Sequence, residues 1–142
     1  MEDDMSSPMR DIASREDLAL VLVSFYEKVF SDDLIGRFFT EVVPLDLDTH
    51  LPVITDFWDS VILGAQAYRK NVMQVHQHIH ALSPIKKMHL DRWVLLFTGT
   101  VDRLSRGEKA ELMKQRARSV ATLMDIKLNH GPGTSGMIKS NE

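Results

Sequence analysis

Apolar residues recur at helical spacing along almost the whole of this chain. Leu18, Leu22, Phe25, Tyr26 and Val29 follow the i, i+4, i+7, i+8, i+11 stripe of one helix face. Ser14, with Asp17 three residues later, has the form of a capping box with aspartate in place of glutamate. Ser31-Asp32-Asp33 is expected to end this helix, and LIGRFF (34–39) follows as a short apolar turn or helical piece. Asp46, Asp48 or Thr49 can cap the next helix, with Pro52 tolerated in its first turn. Its buried face is expected to be His50, Ile54, Phe57, Trp58 and Val61, ending near Gly64. A shorter helix is expected over about 72–81, closed by Ser83-Pro84. Leu90, Trp93, Val94, Phe97, Val101 and Leu104 mark a long helix that Arg106-Gly107 terminates. Met113, Ala117, Val120, Ala121 and Met124 mark the last, from about Glu108 to Lys127. No segment alternates as a strand does, so the fold class is all-α.

Composition narrows the setting. At 142 residues, the chain suits a single domain over 14–128, between flexible tails at 1–13 and 129–142 that lack apolar periodicity. A net charge of -3 gives no reason to expect a nucleic-acid partner. No apolar run reaches the roughly 18 residues of a membrane span, and MEDDMSSPMR is too acidic and polar for a signal peptide. With no cysteine there is no disulfide, thiolate metal site or cysteine nucleophile, which fits a cytoplasmic location.

Three residues on the apolar stripes carry polar atoms: Tyr26, His50 and Trp93. Each needs a hydrogen-bond partner if buried, and each taken alone is more simply a core residue with a satisfied polar tip. NVMQVHQHIHAL (71–82) adds His76, His78 and His80. On a helix, His76 and His80 share a face, while His78 points about 200° away from His76 and is expected to meet solvent. An i, i+4 pair can supply two zinc ligands, but zinc sites usually hold at least three protein ligands, and no HExxH pattern is present. Haem iron, by contrast, needs one neutral imidazole and an apolar pocket.

FYEKVF (25–30), LIGRFF (34–39), HLPVITDFW (50–58), YRKNVMQVH (68–76) and HLDRWVLLF (89–97) together resemble the group III truncated haemoglobins, in order and at near-family spacing over about 14–128. The resemblance implies a shortened globin fold, a two-over-two helical sandwich around haem b. It assigns Tyr26 as the distal tyrosine, Phe39 as a ring packed on the porphyrin, and His50 as the distal histidine. Ile54 becomes an apolar wall, Phe57 and Trp58 pocket and core packing, and Trp93 the tryptophan that reaches the bound ligand. Asn71-Val72-Met73-Gln74-Val75-His76 matches the proximal motif with Val72 in place of its proline, naming His76 as the iron ligand. Spacing back from Trp93 names His80 instead, so both remain candidates at this point.

The implied function is reversible binding of dioxygen and other small diatomic ligands, nitric oxide among them. Nitric oxide dioxygenase-like or peroxidase-like chemistry is compatible with it, given a reductase that the sequence does not identify. The competing expectation is a haem-free helical interaction module that keeps only globin-like packing.

Overall fold

The computed structural model describes residues 9–64 and 79–130. Helix α1 spans Arg15–Phe30, α2 Leu47–Trp58, α3 Lys87–Leu104 and α4 Glu108–Asp125. Five-residue π-helical segments occupy Phe38–Val42, extend α2 through Asp59–Leu63, and extend α4 through Ile126–His130. The described residues contain no strand, and none of their helices is long and apolar enough to cross a membrane.

Local signals set the helix ends. Ser14 Oγ accepts the Asp17 N–H at 3.2 Å, as the sequence predicts, while the Asp17 carboxylate turns back to the Ala13 N–H at 2.8 Å. The reciprocal bond of the expected box therefore reaches one residue further back. Asp46 caps α2 by accepting from Asp48 N. That early start puts Pro52 in the second helical turn and corrects the first-turn expectation. A proline there cannot donate to the Asp48 carbonyl, and the helix is braced from outside by Arg15, which donates to the Pro52 carbonyl at 3.3 Å and pairs with Asp56 at 2.7 Å. Gly64, at φ 83°, closes the segment in the left-handed conformation that glycine adopts without strain.

Contacts between elements give the layers. Tyr26 meets His50 and Arg15 meets Asp56, so α1 and α2 run antiparallel. Arg92 meets Asp32 and Arg103 meets Ser24, so α1 and α3 do too. Lys114 bridges to Asp102 across the α3–α4 pair. Two antiparallel helix pairs thus cross one core, in which Phe25, Trp58, Phe97 and Met113 are essentially inaccessible. The packed chain begins before Ser14: Ile12 is buried, and the Asp11 carboxylate accepts the N–H groups of Lys109 and Ala110 at 2.8 and 2.9 Å. Asp11 supplies from afar the N-cap acceptor that Gly107 lacks.

Two expected faces are corrected. On α2 the buried residues are Thr55 and Trp58, followed by Ile62, while His50, Ile54, Phe57 and Val61 are half-buried. On α3 Leu104 is exposed and Thr100 is buried in its place, its hydroxyl donating to the Leu96 carbonyl at 2.7 Å. The short helix expected over 72–81 lies mostly outside the described residues; residues 79–82 are helical.

Candidate functional site

Three elements bring the expected distal residues together. Tyr26, on α1, is 5% exposed, and its hydroxyl lies 3.2 Å from His50 Nε2 on α2. The two rings meet edge to face at 5.7 Å. Phe39, from the π-helical turn, sets its ring edge-on to Tyr26 at 5.9 Å. Phe30, which the sequence did not single out, packs beside both at 6.2 and 6.5 Å. Ile54 and Phe57 stand half-buried on α2, packed against the core.

Trp93 joins this cluster through one intervening ring. Phe25 lies edge-on to Tyr26 at 5.2 Å and to Trp93 at 5.9 Å. Trp93 then stacks on Phe97 at 5.2 Å, and Phe97 on Trp58 at 5.0 Å, forming an aromatic column through the core. Packing of this kind contributes about 0.5–1.5 kcal/mol per pair beyond area burial. It seats the indole against the core without using its N–H. Among the described residues no acceptor takes that N–H. Tyr26 is a neutral phenol, because burial pushes its pKa well above the ordinary value. A neutral phenol and an indole thus flank the Phe25 ring.

The histidines divide by the nitrogen they use. His80 Nδ1 accepts the Ile85 N–H at 2.8 Å, and His89 Nδ1 accepts the Lys86 N–H at 2.9 Å. Two consecutive backbone donors are thus satisfied by imidazoles from the flanking helical segments. A neutral imidazole accepting at Nδ1 carries its proton on Nε2. Iron ligation at Nε2 requires the opposite tautomer, with Nδ1–H donating to a carbonyl or carboxylate. Burial holds the pKa of His80 below its ordinary value, helped by Lys86. Burial, then Arg37 and Lys86, do the same for His89. His76 and His78 lie outside the described residues. The described residues contain no group of three His, Cys, Asp or Glu side chains placed to hold a metal ion.

His89 and the Asp32–Arg92 pair are the features that side-chain spacing did not expose. Their partners are backbone N–H groups or a residue in another helix, which no local pattern encodes.

With this geometry in place, the fold is that of a truncated globin. The crystal structure of the group III truncated hemoglobin from Campylobacter jejuni superimposes with a TM-score of 0.75 at 24% sequence identity, covering 87% of this chain and 97% of that one. By sequence, the chain is similar to the group 3 truncated hemoglobin ctb of Campylobacter jejuni, 25% identical over 112 residues, or 77% of this chain and 86% of the relative. No family model matches the chain. The likeness read from five short motifs is thus shown both by a relative and by a solved fold, each covering most of the chain.

Proposed function

We propose that this chain is a haem b protein that reversibly binds dioxygen or another small diatomic ligand, with His76 as proximal ligand and Tyr26, His50 and Trp93 facing the bound molecule. The observation that carries the proposal is the part-buried Tyr26–His50 hydrogen bond, set one ring away from an indole N–H that no described residue accepts. The indole is half-buried, and a polar ligand held beside it would accept from its N–H. Phe39, Ile54 and Phe57 supply apolar walls of the kind a porphyrin packs against. His80 fits the iron poorly because its Nδ1 is already occupied by Ile85, which favours His76. When bound, haem supplies the ligand-binding iron.

The chain's own residues then set how long a ligand stays. Partial negative charge on a bound diatomic molecule is stabilised by donors fixed in a dry site. Tyr26 and Trp93 would each contribute about 1 kcal/mol, and a tenfold slowing of release takes about 1.4 kcal/mol. Slow release suits chemistry on the ligand better than bulk transport. Nitric oxide or peroxide turnover would fit the same pocket and would draw on an external reductant. The test is to supply haem to the purified chain and record ferric, ferrous, oxygenated and carbonyl spectra. A Soret band with reversible oxygen binding supports the proposal. A chain that takes up no haem is instead the haem-free helical module.

A further inference from the structure

The Asp32 carboxylate does two jobs. Its side chain is only 8% exposed, and its oxygens are divided between turn and neighbouring helix. Oδ2 accepts the N–H groups of Leu34 and Ile35, both at 3.0 Å, folding the turn that delivers Phe38 and Phe39. Oδ1 accepts from Arg92 Nη1 at 2.9 Å, across to α3. The turn itself is seated on the end of α1. Gly36 donates to the Asp32 carbonyl at 3.0 Å, and a Cβ at Gly36 would lie 2.9 Å from the Val29 carbonyl oxygen. Asp32 thus anchors a turn that is fixed to the Tyr26 helix, and Arg92 carries that anchor to the residue next to Trp93.

Trp93 needs such an anchor. Its ring contacts, a stack on Phe97 and an edge contact with Phe25, are apolar and resist sliding weakly. A charge-assisted hydrogen bond is directional and fixes a helix along its axis. Burial alone would raise the Asp32 pKa, but the Ile35 and Leu34 N–H groups and the Arg92 guanidinium outweigh it and hold the carboxyl below its ordinary value. The pair therefore persists through the neutral range.

We infer that Asp32 is a positioning residue that acts through Arg92 to aim the Trp93 indole N–H relative to Tyr26 and Phe39. Its rate readout rests on the ligand-binding function proposed above; its spectroscopic readout does not. Asp32→Asn keeps an oxygen for the turn while presenting an amide to Arg92. Arg92→Met removes the guanidinium and leaves the turn untouched, so it serves if Asp32→Asn fails to fold. Both would be examined in the full chain, haem-loaded and saturated with carbon monoxide, by the 15N–1H cross-peaks of the indole groups of Trp58 and Trp93. If no haem is taken up, the same spectra of the full chain as purified apply.

Each variant is expected to shift the Trp93 cross-peak and leave that of Trp58 in place, with Arg92→Lys restoring most of the shift. Oxygen dissociation from the haem-loaded variants should quicken by about threefold to tenfold, the worth of one misaligned hydrogen bond. In a Trp93→Phe background, Asp32→Asn should add nothing to the rate. An unmoved Trp93 cross-peak in both variants, or an equal acceleration in the Trp93→Phe background, would overturn the inference. Failure to take up haem would defeat the proposed function and leave the cross-peak result standing.

Discussion

His50 and His80 are both half-buried imidazoles, yet they stand in opposite surroundings. His50, on α2, faces the Tyr26 phenol on α1, 3.2 Å from its oxygen. His80 faces its own backbone, accepting the Ile85 N–H at 2.8 Å, beside a connection that His89 and Asn129 also hold. In the first the partner shown is another side chain, on a different helix. The second consumes the imidazole in closing a loop. Residue type and burial do not separate these roles; what separates them is whether the partner is a side chain or the backbone.

The largest expected effect breaks the pocket side. Replacing both Tyr26 and Trp93 with Phe removes two donors, and oxygen dissociation by stopped-flow should accelerate about 25-fold to 100-fold, from about fivefold to tenfold for each bond lost. An unchanged rate would mean that these groups do not face the ligand.

Breaking the joint should spare the pocket and damage the fold. His80→Ala leaves the Ile85 N–H without its acceptor, at a cost of about 1–3 kcal/mol for a buried donor. Urea unfolding should report that loss while the haem absorption of the loaded protein stays as it was. A lost Soret band with unchanged stability would reverse the assignment of roles.

Acid should act on the joint in the same sense, more gently. The pKa values of His80 and His89 in the folded chain lie below the ordinary 6.5, so folding favours the neutral forms. Their contribution is then fully present above about pH 6.5 and lost as pH falls through the folded values. The urea midpoint should be level from pH 8 to 7 and decline below about 6, and His80→Ala should flatten part of that decline. The smallest effect concerns Arg37, whose charge helps hold His89 down. Arg37→Gln should raise the His89 pKa in an NMR titration; a fall would contradict the electrostatic cause.

The pattern of apolar residues made the four long helices legible, and the α1 stripe of Leu18, Leu22, Phe25, Tyr26 and Val29 is buried in full. It was less informative on α2. A stripe cannot distinguish half-buried side chains from those that fill a core, so His50, Ile54 and Phe57 looked like core. Thr55 escaped notice because its hydroxyl is satisfied internally, donating to the Leu51 carbonyl at 2.6 Å. Pro52 misled because the cap lay at the earliest of three candidates, Asp46. The meeting of Tyr26, Phe39 and His50 was implied by motif resemblance rather than by spacing. Asp32–Arg92 joins residues 60 apart, a separation that one sequence does not bridge.

The comparison of imidazoles turns finally on the proximal ligand. His76→Ala and His80→Ala proteins, each supplied with haem, should be compared by the ferrous absorption spectrum. Loss of the five-coordinate spectrum in His76→Ala and its retention in His80→Ala is the predicted result. Retention in His76→Ala with loss in His80→Ala would place the iron on the residue assigned here to the backbone, and would contradict the account.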